Sequence, residues 1–383
     1  MRAERSIAFY IDSLKWGGAE RVLLHWARWC QEAGWRVVVV TRRGPATDAY
    51  PLPRGVDRWL EPADGRLLGL LSWWAFPARL LRLRGLLREG HFQVVVGVTT
   101  LPAVKVLLAS RGLGLACVVS ERNYPPAKPP SLLWRGLRRL AYPWATLHVV
   151  QTRASGDWLR RHCGATHQLL LPNPVVWPLP ALEPRLEPAD WLPQSAPVLL
   201  AAGTKAFQKG FDRLVEAFAQ LAGPWPELRL VILGLPSTPY HGLDQQGWLR
   251  QRLGDPALQS RLLMPGVAGN IGDWYGRATL FALPSRYEGF PNVLLEAMAA
   301  GCACVAADCP TGPADLIRSG DNGLLLPAEA PARLWAERLS ALLANPAERQ
   351  RMGEAALAVR QTFDAATLRR RFLESLDHLL PHG

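Results

Sequence analysis

The 383-residue sequence has no window of 18 or more uncharged apolar residues, so a transmembrane helix is not expected. The first residues, Met1-Arg2-Ala3-Glu4-Arg5, run straight into a strand-like stretch and offer no apolar signal region. The six cysteines (Cys30, Cys117, Cys163, Cys302, Cys304 and Cys309) form no CxxC pair and sit mostly in apolar surroundings. That argues against a disulfide framework or a zinc ribbon and predicts reduced, buried thiols in a cytoplasmic protein. There is no DxD pattern and the eight histidines are scattered, so no metal and no cofactor are expected. A GxGxxG dinucleotide fingerprint, an internal repeat and a low-complexity tail are also absent. No nucleic-acid-binding motif appears, and the aromatics lie in apolar runs instead of alternating on a stacking surface, so no nucleic-acid partner is expected.

What is present is the composition of a soluble globular chain, 49% hydrophobic and 20% charged, long enough for two domains. The net charge of +12 is uneven: residues 1–180 carry an excess of 14 positive charges and the remainder an excess of 2 negative ones. A basic first half suits an anionic membrane surface or a phosphorylated substrate.

Short β-rich runs alternate with amphipathic stretches. In the first half the strand candidates are 7–11, 36–41, 93–98, 117–120 and 147–151, with helical patterns near 18–33, 74–89, 102–111, 131–141 and 153–162. Nearly continuous apolar strands between helices predict a parallel sheet covered on both faces. The pattern stops between Pro172 and Pro197, where eight prolines fall in 26 residues, which reads as a semi-rigid linker. It then restarts with strands at 198–202, 228–233, 261–264, 280–283, 304–307 and 323–326, followed by helices near 331–344, 346–361 and 364–380. The expected fold is α/β: two Rossmann-like domains, residues 1–176 and 177–362, facing a cleft. A last helix in 363–383 returns toward the first domain.

Three turns carry chemistry. In Leu283-Pro284-Ser285-Arg286-Tyr287-Glu288-Gly289-Phe290-Pro291-Asn292 an apolar strand ends, a turn presents a carboxylate and a glycine, and a helix begins near Pro291. Free N–H groups and the helix dipole at such a start suit phosphate oxygens. Glu288 and Glu296 are spaced to address the sugar and the ribose of a nucleotide-sugar, although a capping and a surface Glu fit the pattern equally. In Ala202-Gly203-Thr204-Lys205-Ala206-Phe207-Gln208-Lys209-Gly210 a strand gives way to a helix, with Lys205 and Lys209 able to neutralise a diphosphate. In Lys15-Trp16-Gly17-Gly18-Ala19-Glu20-Arg21 two glycines allow close backbone approach, a weaker signal.

Together, Gly17-Gly18-Ala19-Glu20-Arg21-Val22, Gln208-Lys209-Gly210-Phe211-Asp212 and Glu288-Gly289-Phe290-Pro291 with Leu295-Glu296-Ala297-Met298-Ala299-Ala300-Gly301 resemble glycosyltransferase family 4, the large retaining GT-B family. Val150-Gln151-Thr152, Leu171-Pro172-Asn173-Pro174 and Asn322-Gly323-Leu324-Leu325 extend the match in order along nearly the whole chain. The resemblance implies the roles. Glu288 contacts the donor sugar, and the backbone of Gly289, Phe290, Asn292 and Val293 lies near sugar and diphosphate. Lys209 binds the diphosphate, Glu296 the ribose, and Val267 lies near the base, while Gly17 and Gly18 approach the diphosphate. Two positions depart from the family. Thr204 follows Gly203 where an arginine is common, with Lys205 one position late. Arg122, in Ser120-Glu121-Arg122-Asn123, stands where many members have a histidine, and is expected to donate to the sugar.

Ala307-Asp308-Cys309-Pro310-Thr311-Gly312-Pro313 resembles the subgroup that builds bacterial surface polysaccharides, often from UDP-galactose or UDP-N-acetylhexosamines. The resemblance implies retaining, metal-independent transfer of a hexosyl or N-acetylhexosaminyl unit from a UDP-sugar to a lipid-linked or polysaccharide acceptor, with residues 1–176 the acceptor-side domain and 177–362 the donor domain. Two alternatives stand beside it. A nucleotide-sugar epimerase of GT-B fold would need acid/base side chains around the sugar, and a non-catalytic sugar-nucleotide-binding subunit is kept open by Thr204 and Arg122. Runs 70–84 and 132–139 interleave tryptophan and leucine with arginine, as in a helix lying on an anionic membrane, although a core-facing helix with a solvated basic side has the same pattern. Peripheral contact with the inner face of the cytoplasmic membrane is the expectation.

Overall fold

The computed structural model describes residues 5–15, 17–61, 72–127, 129–239 and 242–380, without the side chains of residues 47 and 72–75. The chain divides into two compact units, residues 1–173 with 366–383, and residues 174–365.

Unit 1 runs β1 (Ser6–Ile11), α1 (Gly18–Glu32), β2 (Arg36–Thr41), β3 (Val56–Leu60), α2 (Ser72–Glu89), β4 (Val94–Val98), α3 (Thr100–Ala109), β5 (Ala116–Ser120), α4 (Leu132–Ala141), β6 (Leu147–Val150), α5 (Arg153–Cys163) and β7 (Gln168–Leu170). The seven strands are parallel, in the order β3-β2-β1-β4-β5-β6-β7. Every residue of β1 and β4 is buried, as expected of strands covered on both faces. The sequence reading omits β3 and β7. β3 is an edge strand, and Asp57 and Arg58 break its apolar run; β7 has only three residues. Both faces of the sheet are filled by apolar side chains, one face including Val37, Val39, Val94 and Val96, the other Val38, Val40, Val95 and Val119.

The helix at 365–377 (numbered α14 in chain order) closes the first of these layers. Leu368, Phe372 and Leu376 are buried in it, and the Phe372 ring stacks on Trp26 of α1 with centroids 4.5 Å apart. Arg371 donates to the Leu170 carbonyl at 2.9 Å, and Arg369 pairs with Glu32 at 3.0 Å. The expected return of the last helix to the first domain is thereby given its contacts.

Unit 2 runs β8 (Val198–Ala202), α6 (Phe211–Leu221), β9 (Arg229–Leu233), α7 (Gln245–Leu253), β10 (Leu262–Gly266), α8 (Ile271–Arg277), β11 (Leu280–Leu283), α9 (Asn292–Ala299), β12 (Cys304–Asp308), α10 (Pro313–Leu316), β13 (Leu324–Pro327), α11 (Ala332–Leu343), α12 (Pro346–Ala356) and α13 (Val359–Thr362), before α14 (Ala365–Asp377). Its six strands are parallel, in the order β10-β9-β8-β11-β12-β13. The single helix expected over 346–361 is two, α12 and α13.

The proline-rich stretch is not a spacer. Residues 174–197 belong to unit 2, where Val175, Leu192 and Ala196 are buried. The Leu186 amide donates to Asn270 Oδ1 at 2.8 Å, and its carbonyl accepts from Asn270 Nδ2 at 3.1 Å and Trp274 Nε1 at 2.8 Å. Proline count reported the lack of regular structure correctly, but not the packing. These side-chain partners supply the hydrogen bonds that a helix or sheet would otherwise provide.

All six cysteines are buried and unpaired. Burial pushes the Cys302 and Cys309 thiols up to about 12, the charge of Glu288 adding to the effect at Cys309. Such thiols are inert packing groups. No helix among the described residues is long and apolar enough to cross a membrane.

Candidate active site

In an open parallel sheet, ligands bind beyond the carboxyl ends of the strands where the strand order reverses. In unit 2 the reversal lies between β8 and β11. The two loops that leave these strands are 203–210 and 284–291, which carry Lys209 and Glu288.

The structure brings these side chains together. Lys209 Nζ lies 2.7 Å from Glu288 Oε1, and the Ser285 hydroxyl donates to the same oxygen at 2.5 Å. The Thr311 hydroxyl donates to the Glu288 backbone carbonyl. Glu288 Oε2 has no partner among the described residues. The Glu288 and Lys209 side chains are only 5% and 14% exposed, so the pair lies in a poorly solvated recess where its field is weakly screened.

Glycine at two positions makes the arrangement possible. A Cβ on Gly203 would sit 2.8 Å from Lys209 Cγ and 2.9 Å from its Cε, so the lysine stem reaches Glu288 by passing over a bare backbone. Gly210, at φ +67°, turns the chain into α6 so close to the Pro284 carbonyl that no side chain fits.

A second set of contacts, which the sequence reading missed, locks the loops to each other. Arg286 donates to both Asp212 oxygens, at 2.8 and 2.6 Å, and to the Phe207 carbonyl at 2.6 Å, with its guanidinium 4.0 Å above the Phe207 ring. Burial works to raise the Asp212 carboxyl, but the Arg286 hydrogen bonds and charge outweigh it and hold it below the usual carboxylate range. The Arg286 amide donates to the Gln208 carbonyl at 2.9 Å, and Gln208 Nε2 donates to the Tyr287 carbonyl at 3.3 Å. Gln245, nearly buried on α7, holds the other side of loop 203–210. It accepts from the Ala206 amide at 2.7 Å and donates to the Thr204 carbonyl at 3.1 Å. Asp212 falls within the quoted motif, yet a pairing across 74 residues leaves no local signal.

The remaining predicted residues of unit 2 fall around this pair. Thr204 is exposed, and the half-buried Lys205 side chain has no hydrogen-bond or ion-pair partner among the described residues. Pro291 caps α9, so Asn292 and Val293 form its first turn, where the Asn292 amide donates to the Phe290 carbonyl at 3.1 Å. Gly289 is half-buried. The Phe290 ring is core, 5.9 Å from Phe363, which leaves only its backbone for a ligand. Glu296, one to two turns into α9, accepts from the Tyr275 hydroxyl at 3.4 Å. Val267 is 37% exposed just past β10.

In unit 1, Gly17 caps α1 and Gly18 begins it; Trp16 lies outside the described residues. Arg122, expected to donate to the sugar, has its guanidinium buried within unit 1, 4.5 Å above the Trp26 ring, with Nε and Nη2 lacking a hydrogen-bond partner among the described residues. It donates to Asn173 Oδ1 at 3.2 Å, and with the Gln151 amide turned to satisfy its surroundings, to Gln151 at 3.3 Å. Burial pushes its pKa down to about 9, against the opposing charge of Glu121. The guanidinium over the indole face is a cation–π contact, which offsets part of the cost of its burial.

Two Rossmann-like units, the second with a cation–carboxylate pair and a helix start at its switch point, define a doubly wound α/β protein. Residues 187–359 match the family model "Glycosyl transferases group 1" and residues 16–176 match "Glycosyltransferase Family 4". The chain belongs to glycosyltransferase family 4, of GT-B fold. Among curated proteins it is 32% identical to the exopolysaccharide phosphotransferase SCO2592 of Streptomyces coelicolor, over 68% of this chain and 26% of that protein. It is 33% identical to a D-inositol 3-phosphate glycosyltransferase of Streptomyces bingchenggensis, over 54% of this chain and 47% of that one. The chain thus spans between a quarter and a half of the length of these relatives. Among solved structures, Anabaena HepE in complex with UDP and glucose has a TM-score of 0.79 at 22% identity, covering 97% of this chain and 99% of that one.

Proposed function

We propose that the chain is a retaining glycosyltransferase that moves a hexosyl or N-acetylhexosaminyl unit from a UDP-sugar to a lipid-linked or polysaccharide acceptor in surface-glycan assembly. The observation that carries this reading is the Lys209–Glu288 pair at the switch point of unit 2, with Oε2 of Glu288 left to accept a sugar hydroxyl. The names of SCO2592 and the complex of HepE with UDP and glucose support the polysaccharide context and the donor.

In this reading the donor diphosphate lies against the first turn of α9, and its charge is met by the Val293 amide and by Lys205 and Lys209. Glu296 takes the ribose, and Val267 lies against the base. The preorganised N–H groups and ammonium groups stabilise charge as it grows on the departing diphosphate. Retention follows if the acceptor hydroxyl attacks on the face the diphosphate leaves and gives its proton to the leaving phosphate. A metal is not required by this set of cations. A thermal-shift screen against UDP-, GDP- and ADP-sugars, with and without chelator, tests donor and metal together. A UDP-sugar shift that survives chelation is expected, whereas a shift abolished by chelator would overturn metal independence.

The acceptor reading includes an anionic membrane. On α4, Leu132, Leu133 and Leu140 are 79%, 65% and 57% exposed, and Arg135 and Arg139 are exposed beside them. The Trp134 ring meets Phe76 of α2 edge-on at 5.4 Å, which places α4 beside the helix that carries the 68%-exposed Leu81. Exposed leucines among arginines suit the boundary between headgroups and acyl chains. Leu70 and Leu71 of the same predicted face lie outside the described residues, as do the side chains of Trp73 and Trp74. Flotation with anionic vesicles at low salt is expected to carry the protein to the top of the gradient. A Leu132→Glu/Leu133→Glu variant should stay at the bottom, and equal flotation of the two proteins would refute this face.

A further inference from the structure

Segment 307–313 carries the subgroup signal in the sequence, and the structure packs it against the Glu288 turn. It runs from the end of β12 into α10. Thr311 is 2% exposed, and its hydroxyl donates to the backbone carbonyl of Glu288, 23 residues earlier. Gly312, at φ +99°, has no room for a side chain: a Cβ there would sit 2.5 Å from Pro291 Cδ and 3.6 Å from Glu288 Cβ. Its amide is turned away, donating to Asp315 Oδ2 at 3.1 Å. Thr311 and Gly312 therefore touch both ends of the turn 288–291.

Lys209 and Ser285 hold the Glu288 side chain, but neither fixes its main chain. The weak point is the peptide that joins Glu288 to Gly289. A peptide unit followed by glycine flips at little cost, as in the interchange of type I and type II turns, because glycine tolerates either sign of φ. The unit is planar and trans, so its carbonyl and its N–H point in opposite directions, and a flip reverses both. The Thr311 hydroxyl is the hydrogen bond that holds this carbonyl, and no other to it is found among the described residues. On the far side of the same peptide, the amide of half-buried Gly289 has no partner among the described residues. Thr311 thus fixes the direction of an N–H that the fold itself leaves unused.

We propose that Thr311 is a positioning residue of the donor site: it locks the Glu288–Gly289 peptide so that the Gly289 N–H faces the sugar-phosphate end of the bound nucleotide-sugar. This rests on the reading of the Glu288 turn as the donor site. Thr311 itself touches no substrate and acts through the backbone of Glu288. The sheet order explains why the hold comes from here. β11 lies between β8 and β12, so the turn that leaves β11 is gripped from one side by Lys209, after β8, and from the other by Thr311, after β12. An N–H set in place before the ligand arrives needs no reorganisation to meet it. The groups read as meeting the ribose and the base, Glu296 and Val267, lie outside this lock.

Isothermal titration of the full chain with UDP-glucose, UDP-galactose and UDP-N-acetylglucosamine, beside UMP, tests the lock. Thr311→Val keeps the shape of the side chain and removes the hydroxyl, whereas Thr311→Ser keeps the hydroxyl. Thr311→Val is expected to weaken binding of the UDP-sugar that the wild type prefers by about three- to tenfold, the scale of one hydrogen bond. Its affinity for UMP, which carries base, ribose and a single phosphate, should not change, and Thr311→Ser should bind both ligands as the wild type does. The ratio of the two affinities is insensitive to a general loss of stability, because unfolded protein is lost to both ligands alike. Wild-type affinity of Thr311→Val for the UDP-sugar, equal weakening of UDP-sugar and UMP, or failure of serine to restore binding would each overturn the positioning role. A wild type that binds none of the UDP-sugars would instead refute the donor reading, and the lock with it.

Discussion

Replacing Glu288 by alanine is expected to lower the rate of sugar transfer by at least about 10²–10³-fold, the scale of removing one preorganised electrostatic group from a reacting centre. The geometry adds a second effect. Lys209 and Ser285 both converge on Glu288 Oε1, so alanine strands an ammonium that is only 14% exposed and leaves a buried hydroxyl without its acceptor. Breaking a buried pair from one side costs about 3–5 kcal/mol. Activity and stability therefore fall together in Glu288→Ala, and the two are separated by Glu288→Gln. The amide oxygen still accepts from Lys209 and Ser285, so the recess keeps its shape while the charge is gone. Single-turnover transfer from a UDP-sugar by Glu288→Gln is expected to remain severely slowed at a melting temperature clearly above that of Glu288→Ala. Full transfer by the glutamine variant would mean that the carboxylate charge is not needed, and the assigned role would be wrong. Lys209→Met combined with Glu288→Gln should lose much less than the sum of the two single losses, because the side chains act as one unit.

The largest effect on stability is expected far from that recess. Phe372 is fully buried, stacked on Trp26 at 4.5 Å and tilted against Trp29 at 6.3 Å. Truncation to alanine removes aromatic packing and leaves a cavity, a loss of about 3–5 kcal/mol. Phe372→Leu, which keeps most of the apolar volume, should lose clearly less. Urea unfolding of the full chain should show the transition of unit 1 shifted to lower denaturant and that of unit 2 unmoved. An unchanged unfolding curve for Phe372→Ala would contradict the placement of α14. Trp26 connects this helix to Arg122, whose guanidinium lies 4.5 Å from the same indole, so Arg122→Ala should also destabilise unit 1.

These two cases show where the sequence was legible. The strands in the interior of each sheet announce themselves as unbroken apolar runs, and the helices between them by period. The edge strand β3 does not, because only its first residue, Val56, is buried and it includes two charges. The site loops were legible because short-range chemistry is written locally: glycine where backbones pass, proline at a helix start, lysine and glutamate at strand ends. Long-range pairings were not. Asp212 with Arg286, Lys105 with Asp12 and Arg122 with Trp26 are each separated by 74 to 96 residues, and nothing in either partner's neighbourhood names the other. The packing of Arg122 was not legible for that reason, since its motif does not announce the indole face it lies against. The proline-rich segment failed in a related way. Its composition forbids helix and sheet, but the burial of Val175 and Leu192 depends on surfaces formed elsewhere in the chain.

The return of α14 to unit 1 also sets an order of assembly on the ribosome. Unit 2 is complete once Ala365 has emerged, whereas the core around Trp26 and Trp29 waits for Phe372 and Leu376, more than three hundred residues after α1 was made. Of the two units, the one whose synthesis begins earlier thus closes later, and its apolar α1 face stays uncovered by α14 until then.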